Sequence, residues 1–439
     1  MPVDSPPEGA VVSAAQPPPR RRGALSWWFG IVLWKRVFLG MALGVVAGLL
    51  LGEHAQQIKW IGDIFIRLIR MLIVPLVFAT IVAGVVSIAD VRRLGGIGAK
   101  TIFLYLLTTL MGACVGLALG AVFKPGLGAQ LGQQADPSIA RPAVSLGEQF
   151  LAIIPTNPVA ALANGEILSI IFFAMLFGIS VLLAGERAKP IANAFGAVAE
   201  VMQKLTRGVM ETAPFGVFAL IAWVVGVTGP GAFVHIFLLA MCVLIGCAAQ
   251  VLLIHGGLLV GLLGRLPSIP FLRDIADAVV VAFSTSSSAA SLPVVMRVAE
   301  ENLGVSRVVA STSLPIGVSV SMDGTAMYVG LLCMFAAQAF GIHVTPLQYG
   351  LIAVTTVIIA LGSGPVPSAS LFLLAGVLQV LGLSAEQTAL VVGFILPFDR
   401  VLDMMRTVPN CTSDLAVAVT VARWENELDE EAYRAKPTS

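Results

Sequence analysis

Long apolar runs separated by short clusters of turn and charged residues organise this chain. Runs bounded in this way predict helices near 36–52, 60–89, 101–123, 165–185, 191–228 and 232–264. Each is long enough to cross a bilayer core, which takes roughly 20 apolar residues. No formal charge lies between Glu211 and Arg265, or between Asp323 and Glu386. After residue 265 the pattern changes. Residues 268–300 are interrupted by Ser284-Thr285-Ser286-Ser287-Ser288, and residues 347–382 by Gly362-Ser363-Gly364-Pro365-Val366-Pro367-Ser368. Each polar or Gly/Pro tip sits between arms too short for full spans, which predicts two re-entrant hairpins. Asp323 follows Ser286 by 37 residues and Asp403 follows Val366 by 37. Matched spacing of this kind is the pattern of an inverted repeat with its site near the bilayer midplane.

Composition and charge narrow the class. Of 439 residues, 57% are apolar and only 12% charged, against about 25% charged in soluble domains. With a net charge of +1 and no basic cluster beyond Arg20-Arg21-Arg22, the chain offers nucleic acid nothing to hold. Residues 1–26 contain six prolines and are expected to be a disordered segment. Trp27, Trp28 and Trp34 read as an interface anchor. Arg92, Arg93 and Lys100, then Arg187 and Lys189, then Arg265 and Arg273 mark cytoplasmic loops, so both termini are expected in the cytoplasm and the 124–164 connection outside. Cys114, Cys242, Cys247, Cys333 and Cys411 show no C-x-x-C spacing and read as packing residues. His54, His235, His255 and His343 are isolated, with no local metal-site spacing.

The chemistry concentrates near the end of the chain. Asp399, Asp403, Arg406, Asn410 and Asp414 recur at helical intervals and fit an arc of about 80°. Facing lipid, each charge would cost about 2.5–3.5 kcal/mol, so the stripe should face protein or water. The alternative is a soluble tail helix with one charged face. Ser321-Met322-Asp323-Gly324-Thr325 places an acid and a helix-weakening glycine within an uncharged stretch, and unwound backbone there would offer carbonyl oxygens to a hard cation; the alternative is a kink with a buried, hydrogen-bonded Asp323. Asp323, Asp399, Asp403 and Asp414 outnumber Arg400 and Arg406, a deficit to be relieved by cations, protons or a ligand ammonium. The forked guanidinium of Arg406 suits a carboxylate, and Asp403 one turn away suits an ammonium. An acidic amino acid satisfies both; a structural Asp403–Arg406 salt bridge is the alternative. Ser286, Ser287 and Ser288 at the hairpin tip suit a ligand carboxylate. A serine nucleophile would need a base, and neither a G-x-S-x-G elbow nor a related histidine is present.

Four motifs together resemble the dicarboxylate/amino acid:cation symporter family: STSSSAASLP at Ser284–Pro293, SMDGT at Ser321–Thr325, VPSAS at Val366–Ser370, and DRVLDMMRTVPNCTSD at Asp399–Asp414. The resemblance spans about residues 36–424, with weaker support from Arg67–Phe78, Tyr105, Thr108 and Thr109. It implies an all-α membrane protein of eight transmembrane helices plus two re-entrant hairpins. It implies a scaffold within 27–264 (helices 3 and 6 joining the moving part), a transport core at 265–424, a cytoplasmic tail at 425–439, and a homotrimer working by an elevator movement in the cell membrane. Arg406 would bind the side-chain carboxylate, Asp403 the amino group, and Thr407, Asn410, Thr325, Ser286, Ser287, Ser288 and Ser370 the remaining groups, with Val366 closing the gate. One cation site would use Asp414, Gly317, Ser321 and Asn410. A second would use Ser319, Leu361 and Ser363, and a third Asp323, Tyr105, Thr108, Thr109 and Ser321. Departures are Ser321 where the family usually has Asn, Val329 where proton-carrying members have Glu, and the prolines Pro365 and Pro409. The expected function is sodium-driven import of aspartate or glutamate without a cofactor. The rivals are proton-coupled amino acid or C4-dicarboxylate symport and a ligand-gated anion pore.

Overall fold

The computed structural model describes Trp28 and residues 30–92, 95–129, 154–228, 232–361 and 369–435. Residues 1–26 therefore lie outside the described part, as do Trp27, most of the 124–164 connection and the second hairpin's tip. Among the described residues regular structure is helical, apart from one isolated antiparallel bridge between Val305 and Leu428. The first part comprises α1 (Leu33–Leu51), α2 (Lys59–Arg92), α3 (Gly96–Phe123), α4 (Pro158–Asn164), α5 (Ile167–Ala184), α6 (Lys189–Met210), α7 (Ala213–Thr228) and α8 (Ala232–Ala249), which runs on as a π-helical stretch, Gln250–Leu263. The second comprises α9 (Ser268–Asp274), α10 (Ala276–Thr285), α11 (Ser288–Arg297), α12 (Arg307–Val320), α13 (Asp323–Ala339), α14 (Pro346–Leu361), α15 (Ala369–Leu378), α16 (Ala385–Glu425) and α17 (Glu430–Arg434).

Five helical stretches among the described residues are long and apolar enough to cross a membrane: Leu33–Val86, Gly96–Phe123, Ser169–Met210, Val234–Leu263 and Arg307–Ala339. One expected span is corrected. The run 191–228 is two helices, broken at Glu211-Thr212. The apolar pattern is continuous there, but Pro214 has no N–H to continue α6 and fits instead in the first turn of α7. At the break the Thr212 hydroxyl donates to the Val209 carbonyl (2.7 Å) and Glu211 accepts from Arg36 of α1 (2.7 Å).

Small residues set how closely the helices approach. A Cβ on Gly40, Gly44 or Gly48 of α1 would lie 2.4, 2.6 or 2.7 Å from the carbonyls of Pro214, Phe218 and Ala222. This i, i+4 glycine stripe therefore lets the α1 and α7 backbones touch, as in small-xxx-small packing. The same device seats α3 on α13. A Cβ on Gly112 would stand 2.5 Å from the Asp323 carbonyl, and one on Gly116 would stand 1.9 Å from that of Met327. Thr108, one turn before Gly112, is thereby carried to the start of α13.

Two apolar cores divide α16 between them. One gathers α13, α14 and α15 around Val391, Ile395, Leu396, Phe398 and Leu402 of its first half. The other gathers α10, α11 and α12 around Cys411, Leu415 and the alanine- and valine-rich turns that follow. The segment between Leu402 and Cys411 lies at the seam of the two cores. A reciprocal cap starts the helix: Ser384 Oγ accepts from Gln387 N–H (3.2 Å) and Gln387 Oε1 accepts from Ser384 N–H (2.9 Å).

Candidate ion and substrate site

The predicted stripe on α16 is buried along its length: Asp399 is 0% exposed, Asp403 4%, Arg406 2%, Asn410 5% and Asp414 1%. A solvated tail helix is therefore ruled out. The helix is locally altered at Pro409, which has no N–H for the Met405 carbonyl, and the Cys247 thiol of α8 donates to that carbonyl instead (3.4 Å). Asn410 faces the start of α13, where its Oδ1 accepts the Gly324 N–H (2.8 Å). Gly324 tolerates no side chain, since a Cβ there would be 1.9 Å from the Arg406 carbonyl.

The expected break between two helices is present at Ser321-Met322. Ser321 N–H bonds back to Gly317 (2.7 Å), and the chain then turns extended before α13 begins at Asp323. The last carbonyls of α12 and the first amides of α13 are the groups a helix leaves unpaired at its ends. Asp323 is fully buried, and its carboxylate lies within hydrogen-bond distance of three side chains. Oδ1 accepts from the Thr109 hydroxyl (2.9 Å), with Thr108 at 3.2 Å, and Oδ2 lies 3.1 Å from His255 Nε2. His255 Nδ1 in turn lies 2.9 Å from the Thr412 hydroxyl. The two ring nitrogens bridge the Asp323 carboxylate and the Thr412 hydroxyl. His255, isolated in the sequence, thus ties the π-helical stretch to α13 and α16.

Asp414 is the contrasting case. It is buried, and its Oδ1 has no hydrogen-bond partner. A Cβ on Gly317 would lie 2.2 Å from that oxygen and 2.5 Å from the Tyr105 hydroxyl, so both crowd the space over the Gly317 Cα. Tyr105 also donates to the Ser313 carbonyl (3.1 Å), and Ser321 Oγ donates to Ser413 Oγ (2.9 Å). The residues expected in two separate cation sites thus form one contiguous polar region, and every protein oxygen in it is of the hard type that alkali cations prefer.

One helical turn and more above, four charges form a second cluster. Arg406 donates Nη2 to Asp403 Oδ1 (2.6 Å) and Nη1 to Asp399 Oδ1 (3.1 Å), while its guanidinium sits 4.5 Å from the Tyr328 ring centroid. Tyr328 donates its hydroxyl to Asp399 Oδ1 (3.0 Å). The salt bridge weighed as an alternative is therefore present. Tyr328 escaped the sequence reading, although a buried tyrosine needs a polar partner for its hydroxyl. Arg400, 6% exposed, places Nη1 3.6 Å from Asp403 Oδ2. Thr407, buried, donates back to the Asp403 carbonyl (2.7 Å), and Thr325 is buried nearby on α13.

Both hairpin segments pack on α16. At the first tip Ser286 adopts φ +51°, a left-handed conformation that ends α10 and that non-glycine residues hold only under constraint. Ser287 caps α11 by accepting the Ala290 N–H (3.3 Å). Ser286 Oγ and Ser370 Oγ are buried without hydrogen-bond partners among the described residues, and Ser288 is buried. Ser363 and Val366 lie outside the described residues, and for Ser319 and Leu361 only the backbone is described.

Comparison with known proteins matches this architecture. The family model for the sodium:dicarboxylate symporter family covers residues 33–424. The chain is 34% identical over 407 residues to the proton/glutamate-aspartate symporter of Bacillus subtilis, covering 91% of this chain and 95% of that protein. It is 32% identical over 407 residues to the proton/sodium-glutamate symport protein of Geobacillus stearothermophilus (90% and 95%). It is 31% identical over 409 residues to the C4-dicarboxylate transport protein of Rhizobium johnstonii (90% of each). The family and these relatives are transporters for which no cofactor is indicated. With its buried charges and its apolar helices, the chain belongs to the sodium:dicarboxylate symporter family and is a membrane transporter, not an enzyme.

Proposed function

We propose that this protein is a secondary-active symporter that imports an acidic amino acid, aspartate or glutamate, in company with sodium. The observation that carries the reading is the partition of buried charge. Asp399 and Asp403 are balanced by Arg400 and Arg406. Among the described residues the Asp323 carboxylate meets the Thr108 and Thr109 hydroxyls and the His255 imidazole, and Asp414 Oδ1 has no partner; neither acid pairs with an arginine or lysine, so the deficit read from the sequence falls in this lower region. A sodium ion over Gly317 would neutralise Asp414 where a side chain would otherwise stand. In the upper cluster Arg406 would exchange part of its hold on Asp399 and Asp403 for the substrate's side-chain carboxylate, and Asp403 would take the ammonium. The unpartnered hydroxyls of Ser286 and Ser370 would complete the site from the two hairpins.

The resemblance extends this to a homotrimer in the cell membrane, with the hairpin-bearing core moving as an elevator and both termini cytoplasmic. Proton coupling is the second reading. It is favoured by the three side chains that meet Asp323 without any cation and by the name of the Bacillus subtilis relative. Uptake of radiolabelled aspartate into liposomes separates the two. Accumulation under a sodium gradient is the expected result; accumulation under a pH gradient alone transfers the coupling to protons, and no accumulation under either leaves a pore or receptor. Arg406→Ala should abolish uptake in folded protein, and retained aspartate affinity would defeat the carboxylate assignment.

A further inference from the structure

The unequal engagement of the two buried guanidinium groups points to a determinant of substrate class. Arg406 commits nitrogens to both Asp399 and Asp403 and rests on Tyr328. Arg400 is almost as buried, yet its Nε and Nη1 have no hydrogen-bond partner among the described residues. Among the described residues its one ionic contact is Nη1 to Asp403 Oδ2 at 3.6 Å, near enough to balance charge and too far for a hydrogen bond. Asp403 Oδ2 is itself without a hydrogen bond, as is Asp399 Oδ2. At about 100° per residue Arg400, Asp403 and Thr407 share an arc of about 60°, so Arg400 lies on the face of α16 that carries the ammonium-binding acid.

We propose that Arg400 is a specificity-determining residue that stands in for the substrate ammonium at Asp403, so that the site also accepts dicarboxylates that have no amino group. The inference rests on the acidic amino acid reading of this site. With aspartate bound, the ammonium takes Asp403 Oδ2 and the idle Arg400 nitrogens are free for carboxylate oxygen. With a plain dicarboxylate bound, nothing in the ligand balances Asp403. Arg400 remains on it, and Arg406 turns to the ligand. An arginine fits this double use because it keeps its charge in either state and offers several donors from one planar group. If Arg400 were only a structural counter-ion, its removal would weaken every ligand alike.

Binding to the purified full-length protein in detergent, in the presence of the coupling cation, tests this with L-aspartate and succinate as probes. The wild type is expected to bind both. Arg400→Gln should lose at least about 30-fold in succinate affinity while aspartate affinity changes less than about fivefold. Adding Asp403→Asn to Arg400→Gln should restore succinate binding, because no charge is left to balance, while aspartate binding is lost with its ammonium partner. Aspartate binding without succinate binding in the wild type overturns the inference and leaves the transport reading intact, and it needs no variant to fold. Equal losses for the two ligands in Arg400→Gln, or no rescue by the second substitution, also overturn it. Succinate binding with no aspartate binding in the wild type would instead defeat the amino acid reading itself.

Discussion

Filling the space over Gly317 tests the ion site with the smallest possible change. Gly317→Ala adds one methyl group, which would meet Asp414 Oδ1 at 2.2 Å and the Tyr105 hydroxyl at 2.5 Å. Ordinary contact begins near 3.4 Å, so the carboxylate or the helix behind it must retreat by about an ångström. Asp414 is buried on a helix enclosed by the second core, between Ser413 and Leu415, which are both fully buried. It has little room to yield. Overpacking of this size typically costs about 1–3 kcal/mol, and if the cost falls on the ion-loaded form, sodium affinity drops about 5- to 150-fold. The assay is the sodium dependence of labelled aspartate binding to detergent-purified protein. Gly350→Ala is the matched control, since a Cβ there meets nothing within 4 Å; it should leave the sodium curve in place and stabilise α14 by up to about 1 kcal/mol. A sodium curve for Gly317→Ala that superimposes on the wild type would show that no ion sits over Gly317.

Two further substitutions probe the residues that the sequence did not flag. His255→Ala strips a donor from Asp323 and a partner from Thr412; leaving such groups buried and unsatisfied costs about 1–3 kcal/mol each, so thermal unfolding should move to lower temperature, and an unchanged midpoint would mean that the histidine bridge carries no weight. Tyr328→Phe keeps the ring under Arg406 but deletes the hydroxyl on Asp399; aspartate affinity should fall modestly, by about 3- to 10-fold, and a loss as large as that of Arg406→Ala would mean that the hydroxyl contacts substrate directly.

The polar stripe of α16 was legible because a helical period is visible in one segment. Asp399, Asp403, Arg406, Asn410 and Asp414 repeat every turn or so, and burial of all five follows from the cost of charge in hydrocarbon. The first hairpin and the break at Ser321 were legible for a similar reason, since small and polar residues in apolar surroundings mark backbone that is not a plain helix. His255 was hidden because it reaches Asp323 from 68 residues earlier, through a tertiary contact with no local pattern. Tyr328 was hidden as one more large residue in an apolar run. The division of 191–228 was missed because apolarity continues across Glu211-Thr212, and only Pro214 and the ion pair to Arg36 mark the end of α6. Gly317 entered only as one residue of an expected cation site. Its missing Cβ, which gives Asp414 and Tyr105 their common space, becomes visible only once three helices are assembled.

The partition of charge also bears on why ion and substrate should travel together. The upper cluster is neutral with its own arginines, so an empty substrate site by itself is no electrostatic obstacle to a membrane-embedded movement. The lower region is different. Two ionised acids without an arginine or lysine partner among the described residues, at about 2.5–3.5 kcal/mol each on the insertion scale, amount to roughly 5–7 kcal/mol, and about 5.5 kcal/mol moves a two-state equilibrium from 1:99 to 99:1. On the proposed elevator mechanism, an unloaded lower region would disfavour movement through the bilayer, and a cation or proton would remove that barrier. Gly324, which can carry no Cβ against the Arg406 carbonyl, and Asn410, which holds the Gly324 amide, lie between the two regions. Any shift of α13 that opens or closes the ion space must pass through this contact to the backbone of Arg406. On the proposed assignment, ion occupancy would thus adjust the Arg406 guanidinium mechanically as well as electrostatically.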